Sequence, residues 1–453
     1  MGFSNRFLRI CCLAFGLTIG SAQARDLAQA PAAAPSEIQK QYDDAFKETM
    51  RKPADLDVLF RFATLAAQTS DLEGAISALE RMLLIDPDLP RVRLELGVLY
   101  YRLGSYEMSR TYLEGALKAP NVPPDVRAKA EQFMADAISK QNPSHFSGET
   151  FFGFRYQSNA NLGPSTSSVL LFGQTANLNQ SAAGTPDWGI VGSMQVRHVY
   201  DFGRQDKAAL ETQFSVYANR QFTQSQANVT LLDLTTGPRF QVFANSFEDM
   251  SVRPFLTGGY IWVNDTPYYG SYGGGIETST LLGDGLRGNT VFLFRRHENQ
   301  DTAYLPTNSQ YRGIELSANS NLLYALTPRI SLFANGNVQR FEADTATWQS
   351  YQLLGVGGGF AFRFADPVLK TGGFWTFAVN AAVQWWKYDA PDPTVDPGQD
   401  RYQNDTIVNV TASIPFDDRT TLTVSGGRFN RTSSVPNYAF TNNSVLFGIS
   451  WRF

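Results

Sequence analysis

SVLFGISWRF, residues 444–453, alternates. Val445, Phe447, Ile449, Trp451 and Phe453 are apolar, Ser444, Gly448, Ser450 and Arg452 stand between them, and only Leu446 breaks the pattern. A period of two gives a strand with two unlike faces. A soluble sandwich also alternates, but termini are ordinarily polar and frayed. A strand with one face toward lipid and one toward a wet lumen fits better, because the last strand of a membrane barrel pairs with the first.

The remaining chain is consistent with that reading. The stretch 1–24 has Arg6 and Arg9, an apolar run from Ile10, and Ala22-Gln23-Ala24. These are the three parts of a secretory signal peptide, and the run is short of the ~20 residues that a spanning helix needs. Both cysteines fall inside it, so the expected mature chain has no disulfide, thiol nucleophile or cysteine metal site. No later stretch is long and apolar enough for a membrane helix, so any span is made of strands. A net charge of -4 over 453 residues argues against a nucleic-acid partner. The 13% aromatic content and 37 glycines suit aromatic girdles and kinked strands.

Residues 25–37 are rich in Ala and Pro and read as a tether. From 38 to 142 the period is helical and contains a repeat. LDVLFRFATLAAQTSDLEGAISALERMLLIDP and PRVRLELGVLYYRLGSYEMSRTYLEGALKAP superimpose at an offset of about 34 residues, the tetratricopeptide period. Small residues at Ala63, Ala66, Ala75, Gly97 and Ala116 let paired helices approach, and Phe62, Leu79, Leu96 and Leu113 fill the seam. PPDVRAKAEQFMADAISKQ reads as a capping helix with Val126, Ala130, Phe133 and Ile138 toward the repeats. The concave groove is expected to present Phe60, Thr64, Arg91, Leu94, Val98, Tyr101 and Arg102 to an extended partner segment.

From 147 to 453 the period is two. Strands are expected near 147–158, 187–200, 207–220, 229–244, 250–263, 268–282, 288–297, 309–325, 329–342, 347–364, 372–388, 401–414, 419–431 and 441–453. That even number suits an antiparallel transmembrane β-barrel. The fold class is therefore α plus membrane β, with a short tetratricopeptide-repeat domain before a barrel of about fourteen strands. The connections DFGRQD, NSFED, GDGLRG, LTPR, ADPVLKTG and FDDR are short, with Gly, Pro and Asp turning the chain. The opposite set, at 159–186, 298–308, 389–400 and 431–440, is longer. Short turns at one end and long loops at the other is an outer-membrane pattern, and an even count keeps both barrel ends in the periplasm with the helical domain.

No enzyme is expected, and neither cofactor nor metal. HENQD at 297–301 lacks the second histidine of a zinc motif, and no glycine-rich stretch has a phosphate-loop context. No serine elbow or nucleophile–base set appears. The arginines expected on the lumen side are Arg155, Arg197, Arg239, Arg363 and Arg452, as a path lining or as a ladder paired with Glu211 and Glu315.

RLELGVLYYRLGSYEMSRTYLEGAL, PPDVRAKAEQFMADAI and FFGFRYQSNANLGP, followed by a barrel ending in Phe, resemble the last repeat, cap and first strand of the surface lipoprotein assembly modulators. The resemblance implies an outer-membrane translocon-like protein that helps deliver surface lipoproteins or related secreted clients. It also implies client capture by the helical domain in the periplasm. The partners expected are outer-membrane lipid, the barrel-assembly machinery and a secreted client, with the chain itself monomeric. Phe447, Ile449, Trp451 and Phe453 resemble the assembly signal of bacterial outer-membrane proteins. The alternatives are an exopolysaccharide-export porin and a plain diffusion porin with a scaffold domain.

Overall fold

The computed structural model describes residues 35–453 apart from 121, 180–181, 205–206, 243–249, 284, 304 and 369–372. The expected signal peptide, most of the tether and the NSFED turn lie outside the described residues, as do parts of the DFGRQD, GDGLRG and ADPVLKTG turns. The chain divides into two compact units, helices up to Pro143 and strands from Ser144.

The helices are α1 (Pro35–Arg51), α2 (Leu56–Gln68), α3 (Leu72–Ile85), α4 (Pro90–Arg102), α5 (Tyr106–Lys118) and α6 (Pro124–Gln141). Asp55 starts α2 by accepting from the N–H groups of Asp57 and Val58, and Asp71 starts α3 by accepting from that of Gly74, which satisfies donors a helix start leaves open. The repeat residues are the core: Leu59, Phe62, Ala63, Ala66, Ala75, Leu79, Met82 and Leu96 pack in one cluster. Each large side chain so buried contributes about 1.5–3 kcal/mol. A Cβ on Gly97 would stand 2.6 Å from Leu113 Cγ, so α4 and α5 approach to a distance that a side chain there would forbid. Helix α1, which the repeat pattern does not mark, joins this core through Ala45 and Tyr42.

The barrel strands are β1 (Ser144–Gln157), β4 (Asp187–Asp201), β5 (Ala209–Gln221), β6 (Val229–Gln241), β7 (Ser251–Val263), β8 (Thr266–Leu281) and β9 (Leu286–Asn299). They continue as β10 (Gly313–Thr327), β11 (Ile330–Ala343), β12 (Tyr351–Ala365), β13 (Phe374–Tyr388), β14 (Tyr402–Pro415), β15 (Thr420–Ser433) and β16 (Phe440–Arg452). These fourteen close in sequence order, every neighbour antiparallel, with β1 pairing β16. A small hairpin, β2 (Ser168–Leu171) and β3 (Gln174–Asn177), lies within the loop after β1. Strands expected from 309 and 347 begin at 313 and 351, because Asn308–Tyr311 and Thr347–Gln349 form 3-10 turns. Side-chain bonds to the backbone compete with the ladder there: Asn308 Nδ2 donates to the carbonyls of Tyr268 (2.5 Å) and Gln300 (3.0 Å).

Alternation sets the two faces. Phe152, Phe154, Leu256, Phe292, Phe294, Val338, Val356, Phe447 and Ile449 are exposed on the outside. Fourteen residues in a strand such as β1, at ~3.3 Å each and tilted about 40°, rise about 35 Å, enough for an apolar band of ~25 Å. The three longest connections, after β1, β9 and β13, lie at one end, together with the two-residue turn between β7 and β8; the other end, whose connections are mostly shorter, holds both ends of the ring-closing pair. At the short end Asp417 accepts from the N–H groups of Arg419 and Thr420, each at 2.7 Å, and these bonds hold its carboxyl below the ordinary range.

Candidate functional site

The helical groove differs from the expectation. Leu94 is only 3% exposed and packs with Leu113, Ala116, Val126 and Ala130, with Val98 half-buried against them. The Tyr101 ring lies 5.6 Å from Phe133, edge to face. Helix α6 supplies Val126, Ala130 and Phe133, so the cap occupies the concave side of the second repeat. Leu94, Val98 and Tyr101 are core positions, not an open docking surface. Thr64, Arg91 and Arg102 are exposed and Phe60 is half-buried in the first repeat's core. Val126 and Ala130 are buried on α6 as expected, but near its end it is Ala137 that is buried, and Ile138 is exposed.

The barrel interior carries polar chemistry in two sectors. On the β1, β4–β10 side most of the charges named in the sequence reading find partners. Arg197 meets Glu211 in a two-point contact of 2.9 and 2.7 Å, with Arg239 at 3.7 Å from the same carboxylate. Arg253 donates to Glu277 at 2.8 Å, Arg295 to Asp233 at 3.0 Å, and His297 lies 3.0 Å from Glu315. Arg155 NH1 donates to the Tyr217 hydroxyl at 3.3 Å. The structure thus puts Arg155, Arg197 and Arg239 on the inner face in a bonded ladder. Arg363, on the inner face of β12 near the short-turn end, lies 5.5 Å over the Phe374 ring, and Arg452 donates to Glu149 at 3.0 Å.

The β10–β14 side is lined by amides around bare backbone. Gly355, Gly357 and Gly359 of β12 face inward. A Cβ at Gly355 would fall 1.9 Å from Asn337 Oδ1, and one at Gly357 would fall 2.5 Å from Asn335 Oδ1. The glycines let the amides of β11 lean across the wall toward Gln384 and Ala382 of β13.

At the loop end the interior is bridged. Leu162, Ala227, Val229, Ile261, Val263, Tyr268, Tyr269, Leu305 and Phe440 form one buried cluster. Tyr269 on β8 and Phe440 on β16 stand six places apart in the ring of fourteen, so the cluster joins nearly opposite walls. Aromatic contacts extend it: Tyr269 to His297 at 4.7 Å, His297 to Phe341 at 5.6 Å, Phe341 to Tyr351 at 5.6 Å and Tyr351 to Trp386 at 5.0 Å. Two arginines lock the far side. Arg431 sits 5.4 Å over Trp386 and 5.7 Å over both Phe429 and Phe440, while its Nε donates to Asp405 Oδ1 at 2.6 Å. Trp386 Nε1 donates to the same carboxylate at 2.9 Å. Arg401 lies 3.3 Å from the Tyr388 ring centre and 4.3 Å from that of Tyr438. Such contacts gain strength where water is excluded.

The first loop is tied down over this end. Leu170 N–H donates to Asn437 Oδ1 at 2.7 Å and Asn437 Nδ2 returns to the Leu170 carbonyl at 2.8 Å. Phe172 and Gly173 donate to the carbonyls of Thr394 and Val395. Asn159, buried in the SNANLGP stretch, bonds Gly163 from both ends of its amide. Sequence reasoning missed Asn159, Asp405 and Arg431; an asparagine before a Gly-Pro turn was the one signal available. Phe447, Ile449 and Trp451 face outward on β16, and the Phe453 ring stacks on Trp451 at 5.3 Å. Among the described residues no group of His, Cys, Asp and Glu could hold a metal ion.

The tetratricopeptide repeat family model matches residues 63–134. No curated protein matches the chain. Among solved structures the helical part is similar to MamA, at 13% identity over 23% of this chain with a TM-score of 0.21. The matched part is 55% of MamA, so the chain spans about half of that protein. The barrel is similar to an anion-selective porin from Comamonas acidovorans, at 10% identity, covering 68% of this chain and 99% of that one with a TM-score of 0.35. It is also similar to a loop-deletion mutant of OmpT, an outer membrane protein of Vibrio cholerae, at 7% identity with the same coverage and a TM-score of 0.38. The chain carries helices that match a tetratricopeptide repeat model, followed by a closed fourteen-stranded antiparallel barrel.

Proposed function

We propose that this chain is a non-enzymatic outer-membrane translocon of the surface lipoprotein assembly modulator kind, cut after Ala24 and monomeric. It needs no cofactor, and the barrel-assembly machinery inserts it through the Phe447–Phe453 strand end. Its helical domain lies in the periplasm and engages a secreted protein or lipoprotein client, which the barrel helps to the cell surface. The observation that carries this reading is the bridged mouth. A diffusion porin needs an open aqueous path, whereas here a buried apolar cluster joins opposite walls at the loop end. A barrel closed at rest, on a chain with a repeat domain of the kind that holds peptides, suits a gated device for large clients.

The amide and aromatic lining of the interior favours a second reading, passage of a polysaccharide, because hydroxyls pair with Asn and Gln and sugar rings pack on Trp and Tyr. A surface-proteome comparison separates the two. Intact wild-type and deletion cells are shaved with protease. Loss of one or a few surface proteins, with their accumulation inside, supports a protein client. An unchanged protein surface overturns it and turns attention to polysaccharide flux.

A further inference from the structure

The outer face of the barrel at its loop end carries a row of charge that the client reading does not use. Arg296 on β9, Arg340 on β11 and Lys387 on β13 occupy outward positions on alternate strands, each two residues before an acid: Glu298, Glu342 and Asp389. The ladder registers set them side by side. Arg296 is level with Ile314 and through it with Glu342, while Arg340 is level with Gln352 and through it with Lys387. Two strand spacings separate Arg340 from Lys387, about 10 Å.

The two arginines are held in place. Arg296 reaches Asp344 of the next hairpin at 2.8 and 2.5 Å, and Glu298 at 2.9 Å. Arg340 reaches Asp389 at 2.8 and 2.6 Å, and Glu342 at 3.2 Å. Lys387 is exposed and forms no ion pair among the described residues. The other rim is different. At the short-turn end the outward strand positions include Phe146, Tyr200, Phe240 and Trp451, all exposed, and among the described residues none of these positions is charged.

Charge on a lipid-facing wall is costly in hydrocarbon and cheap at the interface, so the row marks a headgroup layer. Exposed aromatic residues of the kind that belt a membrane interface stand at both rims, Trp188, Trp385 and Tyr402 at the loop end and Tyr200 and Trp451 at the other, so it is the charge alone that distinguishes the two. A row of both signs at one rim only fits a leaflet dense in phosphate and divalent cations. Guanidinium and ammonium groups bond phosphate oxygens, while carboxylates take a divalent cation that bridges to the next phosphate.

We propose that Arg296, Arg340 and Lys387, with Glu298 and Glu342, bind the phosphate-bearing head of a saccharolipid of the outer leaflet. This rests on the outer-membrane location proposed above, and it assigns the loop end to the outer leaflet without appeal to loop length.

The test uses the purified full chain, stripped of lipid in detergent. Core-truncated lipopolysaccharide, phosphatidylglycerol or inorganic phosphate is added, with and without Mg²⁺. Bound lipid is counted by native mass spectrometry, and barrel unfolding is followed by the heat-dependent gel shift. Wild type is expected to retain the saccharolipid and to unfold at higher temperature with it. The R296Q/R340Q/K387Q variant is expected to bind it about tenfold more weakly or worse, and EDTA to weaken wild type. Equal binding of phosphatidylglycerol, full competition by inorganic phosphate, or unchanged binding by the variant overturns the proposal. Should the triple variant fail to assemble, K387Q alone gives the comparison, because Lys387 holds no ion pair of the wall. Lipid binding reads this inference and surface display of clients reads the translocon, so one can fail while the other stands.

Discussion

Asp405→Ala tests whether the loop-end closure is held by the Arg431 network. Asp405 is fully buried and the Arg431 side chain is 7% exposed. The substitution removes both Arg431 contacts and the acceptor of the Trp386 indole. Leaving one partner of a buried ion pair behind costs about 3–5 kcal/mol, and an orphaned buried donor about 1–3 kcal/mol. The rings of Trp386, Phe429 and Phe440 still face the guanidinium, and water from the interior relieves part of the loss. A net destabilisation of the closed end of about 4 kcal/mol remains, which raises the open-to-closed ratio about a thousandfold. In planar bilayers the variant should show long open dwells where wild type is mostly closed. The double variant D405A/R431M should return toward wild type, because an apolar pair of similar volume replaces a buried ion pair at little net cost. Wild-type gating in the single variant would refute the assignment of the closure to this network.

Three further outcomes follow from the packing. Leu94→Ser should destabilise the helical domain by about 2–5 kcal/mol, read as a lower melting temperature by circular dichroism, while Arg91→Ser leaves it within about 0.5 kcal/mol; equal effects would restore the open-groove reading. Phe453→Ala removes the ring that stacks on Trp451 beside the closing strand pair, and should lower the folded fraction on heat-dependent gels, whereas an unchanged fraction counts against that role. Burial and the bond to Glu80 push the Tyr112 hydroxyl up to about 12 from 10.0. A raised pKa favours the protonated form in the folded state, so its contribution is complete below pH 10 and lost as the pH rises through about 12. Tyr112→Phe should flatten that part of the helical stability curve, and a curve of unchanged shape would refute it.

The barrel was legible because two unlike solvents enforce alternation, and a slip of one residue would turn every side chain over. Phe360 and Phe362 against Ala361 and Arg363 leave no second register. The misread groove has a physical cause. The repeat period tells which residues face the concave side and that a capping helix follows, but not that the cap packs on those same residues, so Leu94 reads as a groove position while the structure buries it under Val126 and Ala130. The closure was illegible for a related reason. Alternation says that Tyr269, Tyr351, Trp386 and Phe429 point inward, but stacking across the interior depends on how strands far apart in sequence meet. Gly355, Gly357 and Gly359 were visible as glycines, while their reason, the Asn335 and Asn337 side chains leaning over them, belongs to neighbouring strands. The β2–β3 hairpin is too short for periodicity to reveal.

Thirteen of the fourteen strand pairings join neighbours along the chain, and the last joins Glu149 to Arg452, 303 residues apart. Against a hairpin of about 15 residues, that contact carries an extra chain-closure cost of about 2.7 kcal/mol. The sheet can therefore grow hairpin by hairpin as an open ribbon, and the ring forms last. Until it does, β1 and β16 are bare edges that any strand can add to. The pairing that costs the chain most entropy is the meeting of its two most distant strands, and until it forms those edges need keeping from other chains.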